Sequence, residues 1–279
     1  MPAYLRPTSQ SDALAALAQG RLTVLAGGTD YYPARVGKPL NDDILDISAI
    51  ADLRGISEHA DHWRIGATTT WSDLIAAGLP PLFDGLKLAA REIGGVQIQN
   101  AGTVAGNLCN ASPAADGVPP LLAVDARVEI ADTKGNTQVA LADFILGNRK
   151  TLLRADQLLT AILIPKPAHP ARSHFAKLGA RKYLVVSIVM VAATLEVDAG
   201  RVSAARIAVG SASAVAQRLP LLEAALIGQA CDASLGVQVR DEHLAPLAPI
   251  TDVRASSAYR LDAGLTLLRR VLGELGARA

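Results

Sequence analysis

The sequence predicts an α+β protein of two modules, the second a sheet covered by helices, and three observations carry that expectation. Its 279 residues exceed the roughly 150 of an average domain and suit two of them. Half of the residues are hydrophobic but only 4% are aromatic, so the core is filled mainly by Ala, Val, Leu and Ile. Helical and strand-like runs interleave along the chain, and Pro165, Pro167 and Pro170 then crowd together as a linker, because each proline removes a donor and fixes the backbone. The expected modules are residues 1–166 and 167–279, the first weakly acidic and the second weakly basic.

Ser9 to Gly20 reads as a helix: Ser9 and Asp12 form a capping-box-like pair, Leu14 and Leu17 share a face, and Gly20 ends it. Leu22–Leu25 reads as a buried strand that delivers the chain into the turn Ala26-Gly-Gly-Thr-Asp30. Ile44–Ile47 is a second strand, and Arg54–Glu58 and Trp63–Gly66 pair around the polar turn His59–His62. From Trp71 to Arg91 the spacing is helical, interrupted at Pro80 and Pro81, which start a helix but do not sit inside one. A loop opening at Gly94-Gly95 leads to a long tract of small and amide residues, Asn100 to Asp116. Arg127–Thr133 and Thr137–Leu141 flank Lys134-Gly-Asn136 as a hairpin, and Leu158–Ile164 is a further strand. In the second module, strands Val185–Asp198 and Val202–Gly210 flank a turn, followed by helices near Pro220–Ile227 and Ser256–Leu275.

Charge and cysteine usage exclude several classes of function. Twenty-seven basic against 26 acidic side chains leave a net charge of +1, with no electrostatic footprint for nucleic acid or an anionic membrane. Two cysteines, Cys109 and Cys231, are too few for an iron-sulfur cluster or a four-thiolate zinc site in this chain alone. The N-terminal stretch lacks a basic segment followed by an apolar one, and the longest apolar run, Leu184–Leu195, is far shorter than the roughly 20 residues a bilayer requires. The expectation is a cytoplasmic protein with no membrane insertion.

The two glycine-containing tracts are the most informative features. Each lacks bulky side chains for several residues, which lets backbone N–H groups approach a charged oxygen and form an anion-binding nest. Two such loops, the second leading into a helix, suit the two phosphates of a dinucleotide. Neither has the spacing of a Rossmann fingerprint or the Gly-Lys-Ser/Thr of a nucleoside triphosphate loop. Each is equally readable as a tight turn that needs glycine for its backbone geometry alone.

Leu25-Ala-Gly-Gly-Thr-Asp30 and Gly102-Thr-Val-Ala-Gly-Asn107, followed by Ala111-Ser-Pro113 and Asp116, closely resemble the two flavin-binding motifs of the FAD-binding (medium) subunit of molybdenum hydroxylases, the family of xanthine dehydrogenase and aerobic carbon monoxide dehydrogenase. The proline-rich linker and the segments Phe175–Lys177 and Arg181-Lys182 resemble the start of that family's C-terminal flavoprotein domain, so the resemblance spans nearly the whole chain. It implies a two-subdomain FAD-binding domain of the PCMH/vanillyl-alcohol-oxidase type (about 1–55 and 56–166) and a C-terminal α+β domain with an antiparallel sheet covered by helices. It also implies FAD contacts from Leu25, Ala26, Gly27, Gly28, Thr29, Asp30 and Tyr31 in the first loop and Thr103, Val104, Ala105, Gly106 and Asn107 in the second. Asp116 would accept from a cofactor hydroxyl, Ile93 and Leu159 would lie beside the flavin, and Lys177 would reach the cofactor, where a cation stabilises electron density on the reduced ring. Ala105 stands where many members have glycine, and Gln99 and Ala101 where basic residues are frequent. Val185 stands where several members carry an acid near the flavin edge, so the acceptor stays open among NAD+, a quinone, a cytochrome and oxygen.

By this resemblance the chain is an electron-transfer subunit: a large subunit carries molybdopterin, a small subunit carries two 2Fe-2S clusters, and FAD here passes electrons to an external small-molecule acceptor. Family complexes are commonly dimers of heterotrimers. No residue is assigned as general acid or base, and no metal ligand is assigned. The alternatives are a stand-alone FAD-dependent NAD(P)H reductase and a non-catalytic nucleotide-binding scaffold. Asp30 and Asp116 also suit turn or helix-cap roles, and Lys177 alone reads as a solvated lysine. His59, His62, His169, His174 and His243 read as surface residues, Cys109 as a small buried thiol, and Ser112 lies outside any nucleophile elbow.

Overall fold

A computed structural model describes residues 2–278. The chain opens with β1 (Tyr4–Leu5), α1 (Gln10–Gln19), β2 (Thr23–Leu25) and β3 (Ile44–Asp46), and the strands form a parallel sheet in the order β1-β3-β2. The Ser9 side chain accepts from the Asp12 amide and so satisfies one of the orphan donors at the start of α1. Ala13, Leu14 and Leu17 of that helix pack on Leu45, Ile47, Ile50 and Leu53. β2 is not the buried strand the sequence suggests. It lies at the sheet edge, and Val24 is left 38% exposed on the wall of a cleft.

A second sheet follows from β4 (Ile56–Glu58), β5 (His62–Gly66), β6 (Arg127–Asp132), β7 (Gly135–Ala140) and, after the small hairpin β8 (Ile145–Gly147) and β9 (Lys150–Thr151), β10 (Leu158–Pro165). Its order is β4-β5-β10-β6-β7, antiparallel throughout. Alternate residues Trp63, Ile65, Val128, Ile130, Ile162 and Ile164 face one core, as the period-2 pattern requires. Helices α2 (Trp71–Ala76), α3 (Asp84–Glu92), α5 (Val104–Asn110), α6 (Val118–Leu122) and α7 (Leu141–Phe144) surround that core, closing it with Trp71, Leu86, Leu108 and Leu121 and with Phe83 from the turn before α3, while α4 (Val96–Ala101) buries no residue. The tract from Asn100 to Asp116, expected as loop, therefore contains all of α5 and the end of α4. Helices this short are unstable alone and persist because Val104 and Leu108 are buried.

The rest of the chain forms β11 (Ala171–Leu178), β12 (Val189–Asp198), β13 (Arg201–Gly210), β14 (Gln217–Arg218), α8 (Pro220–Leu226) and α9 (Ser257–Gly276). The sheet is antiparallel in the order β11-β12-β13-β14. On one face Val189, Val191, Ala193 and Leu195 pack with Leu222, Leu226, Leu267, Leu268 and Val271 of α8 and α9. On the other, Phe175, Met190 and Ala192 meet Ala89 of α3 and Ala123 just beyond α6. The sheet is thus covered by helices as expected, but two of them come from the N-terminal half of the chain. β11 has no readable strand pattern because Ser173, His174 and Phe175 are buried in succession. Ser173 tolerates this because its hydroxyl accepts from the Gly85 amide at 2.8 Å and donates to the Leu82 carbonyl at 2.6 Å.

His174 and His243 are likewise buried rather than at the surface, each with a partner: His174 Nε2 lies 2.8 Å from Glu274, and His243 Nδ1 accepts from the Arg240 amide at 3.1 Å. Burial lowers the His174 pKa against the opposing pull of Glu274, while Arg278, just beyond α9, lowers it and Asp84 of α3 raises it. A depressed histidine pKa means that the unfolded chain takes up the proton first, so stability falls as pH drops through the ordinary imidazole value. The urea midpoint is therefore expected to fall between pH ~7 and ~5.5, and His174→Gln to flatten that slope. An unchanged slope in the variant would place the titration elsewhere.

Candidate functional site

The first glycine loop is launched by β2 and held at its base by the Ile47 amide, which donates to the Leu25 carbonyl at 2.9 Å. Gly28 has φ +69°, the left-handed region that glycine enters without strain. The Tyr32 ring covers it so closely that a Cβ there would lie 2.7 Å from a ring carbon. Among the described residues, the amides of Gly27, Gly28 and Thr29 have no acceptor in the chain. Three consecutive free donors in a bend form the nest expected for an anion.

The second loop is clasped to the start of α2. The Trp71 amide donates to the Gly102 carbonyl at 3.1 Å and the Val104 amide to the Thr69 carbonyl at 3.0 Å, bridging Thr70 to Thr103. Thr103 then caps α5, its hydroxyl accepting from the Gly106 amide at 3.0 Å. Ala105 lies within α5 and buries its methyl, so alanine is accommodated there.

The two loops touch. A Cβ on Gly27 would lie 2.0 Å from the Ala101 carbonyl oxygen and 2.9 Å from the Gly102 Cα, and a Cβ on Gly102 would lie 3.3 Å from the Thr29 hydroxyl. Only side-chain-free backbone permits this approach, so the glycines here are more than loop punctuation. Between and around the loops opens a cleft of about 530 Å³. Every expected site residue lines it except Val104, Asp116 and Lys177. Asp30 faces the cleft and its carboxylate has no hydrogen-bond partner among the described residues, whereas Tyr31 donates to Asp42 at 2.9 Å under the Arg35 guanidinium.

Val104 turns its side chain into the core, and its amide is already committed to Thr69. Asp116 and Lys177 pair with each other at 2.6 Å, both buried, and Ser187 donates to the second carboxylate oxygen at 2.5 Å. Asp116 is therefore neither a helix cap nor an Asx turn, and Lys177 is not a solvated lysine. Burial outweighs the lysine and hydroxyl contacts and holds the Asp116 carboxyl above its ordinary range.

Sequence reading missed Trp71, Ile98, Arg35, Arg149 and Leu158, which also line the cleft. Trp71 and Ile98 carry no local signal, because the Thr70–Thr103 bridge brings them to the wall. Arg149 has φ +54° and donates to the Asn110 side chain at 2.8 Å, a placement set by contact with the end of α5. Cys109 is exposed to the cleft rather than buried, since α5 turns it away from the core. The surrounding walls desolvate its thiol and push its pKa up to about 12, which favours the neutral form.

Fold and cleft together define an α+β protein in which two glycine-containing loops meet at the edge of one cleft. Comparison with known proteins narrows the class. A family model described as the FAD binding domain in molybdopterin dehydrogenase matches residues 1–167, and one described as the CO dehydrogenase flavoprotein C-terminal domain matches residues 174–275. The chain is 32% identical to the xanthine dehydrogenase FAD-binding subunit of Escherichia coli O157:H7, covering 99% of this chain and 96% of that protein. It is 29% identical to the nicotine 6-hydroxylase medium subunit of Paenarthrobacter nicotinovorans, covering 99% and 97%. Reconstituted CO dehydrogenase from Oligotropha carboxidovorans superposes with a TM-score of 0.90 at 28% identity, covering all of this chain and 99% of that one. The chain belongs to the FAD-binding medium subunits of the molybdenum hydroxylase family. No helix among the described residues is long and apolar enough to cross a membrane.

Proposed function

We propose that the cleft holds the FAD diphosphate between the loops Leu25–Tyr31 and Thr103–Asn107, and that the chain serves as the electron-transfer subunit of a molybdenum hydroxylase. The contact of Gly27 with Ala101 and Gly102 carries this reading, because it brings the free amides of the first loop beside the start of α5. The Gly27, Gly28 and Thr29 amides hold one phosphate, and the Thr103 and Ala105 amides at the start of α5 face the other. Ile93, Ile98 and Leu159 offer apolar surface to a flat ring. When bound, FAD supplies the one- and two-electron chemistry that amino-acid side chains lack. The chain's own part is to bind, orient and tune.

Electrons would arrive from the 2Fe-2S clusters of a small subunit, fed by a molybdopterin-containing large subunit, and leave to an external acceptor. A dimer of heterotrimers in the cytoplasm is the expected setting. Asp30 is the one carboxylate on the cleft wall among the described residues, and it sits on the glycine loop itself. That leaves a stand-alone reductase without a separately placed proton donor. Titration of the purified chain with FAD, followed by chemical reduction, tests the binding. A saturable yellow complex that bleaches is expected, and a chain that stays colourless at excess FAD overturns the proposal. Purification from its natural host then reports whether molybdenum- and iron-containing partners come with it.

A further inference from the structure

The second glycine loop is continuous with an arch made of α5, the turn through Asp116, and α6. The Asn107 side chain accepts from the Gly117 amide at 3.2 Å, tying the loop helix to the base of α6. No residue after Leu159 lines the cleft, yet the C-terminal sheet grips this arch at several points. The Ser211 amide donates to the Pro113 carbonyl at 3.1 Å, Lys177 and Ser187 hold Asp116, and Arg218 donates to the Leu122 carbonyl at 3.1 Å.

The far end of the arch is Asp125, in the left-handed turn after α6 at φ +52°, a conformation that costs energy for a residue other than glycine and is least costly for Asp and Asn. One carboxylate oxygen takes Arg206 Nε and the other takes Arg218 Nη1 at 2.7 Å. Each arginine is also anchored in the C-terminal half: Arg206 Nη1 lies 2.7 Å from the buried Glu196 of β12, and Arg218 Nη2 lies 2.9 Å from Glu223 of α8. Asp125 is thus the one N-terminal member of a network of two arginines and three carboxylates, and both of its arginine partners are tethered to carboxylates of the C-terminal half.

We propose that Asp125 is a positioning residue for cofactor retention: through Arg206 and Arg218 the C-terminal sheet holds the α5–α6 arch, and with it the second glycine loop, against the first. This rests on FAD occupying the cleft. Asp125 itself does not line the cleft, so its effect on FAD must travel through the arch.

The test compares the wild-type chain with D125N, R218Q and the double variant. D125N keeps the residue type that suits the turn and removes the charge. R218Q leaves Glu223 with a second donor, the Ile207 amide at 2.8 Å. FAD dissociation constants are expected to rise about fivefold in D125N and about threefold in R218Q, with the combined loss in the double variant smaller than the product of the two, because both substitutions break the Asp125–Arg218 linkage while R218Q alone also removes the Leu122 carbonyl contact. Amide hydrogen exchange at residues 103–107 is expected to quicken in D125N while the global unfolding midpoint stays within error of wild type. FAD affinity within about twofold of wild type in D125N, additive losses, or unchanged exchange at the loop would overturn the inference and leave FAD binding standing. A wild-type chain that binds no FAD overturns the proposed function, and this inference with it.

Discussion

Gly27→Ala is expected to lower FAD affinity by about two orders of magnitude, the equivalent of roughly 3 kcal/mol. The substitution adds a single methyl. Its carbon would sit 2.0 Å from the Ala101 carbonyl oxygen, 2.7 Å from the carbonyl carbon and 2.9 Å from Gly102 Cα, all of them backbone atoms with no rotamer to change. The only relief is for the loops to part, and parted loops no longer direct their free amides at one diphosphate. Gly28→Val acts on the same site differently, straining a φ of +69° and displacing the Tyr32 ring. Equilibrium titration monitored by flavin fluorescence, with circular dichroism as a check on folding, reads both. If Gly27→Ala binds FAD as wild type does, the loop contact is not what holds the cofactor.

Asp116→Ala is expected to destabilise the apo chain by about 3–5 kcal/mol, because it leaves the Lys177 ammonium buried without its counter-charge. The Lys177 side chain is only 6% exposed, and Ser187 loses its acceptor in the same step. Removing the pair together, as in Asp116→Leu with Lys177→Met, is expected to recover most of that loss, since the cost lies in the stranded charge rather than in the missing contact. Chemical denaturation without FAD measures both. FAD titration at a denaturant-free, permissive temperature then separates the two roles of Asp116. A double variant that folds but retains FAD poorly assigns the carboxylate to the cofactor as well, and one that binds normally confines it to the domain interface. A single variant as stable as wild type would show that water reaches Lys177 in solution.

Much of the architecture was legible from residues alone, for reasons that are local. Ser9 and Asp12 specify the start of α1 because the cap is made within one turn, and the β6–β7 hairpin is legible because its turn needs no distant partner, although the turn is Thr133-Lys134, with Gly135 already paired to Asp132, one residue earlier than the expected Lys134-Gly-Asn136. Other elements depend on remote partners and were misread. β11 was hidden because Ser173 and His174 are polar, and their burial is compensated by Leu82, Gly85 and Glu274, which lie far away in sequence. β12 starts at Val189 rather than Val185, because only from there does β11 supply a partner.

What the sequence by itself determined is the pair of glycine-containing segments and the membership in a flavoprotein family that they signal. Absence of side chains is a property of single residues and is written in the order of letters. Only the tertiary structure decided that Gly27 rests on Ala101 and Gly102, that Asp116 and Lys177 face each other instead of the cleft, and that Cys109 looks outward. Those outcomes depend on which backbone segments pack together across as many as 75 positions, as between Gly27 and Gly102, and on how buried charges find partners. Contacts of that range reflect the collapse of the whole chain, which no local pattern encodes.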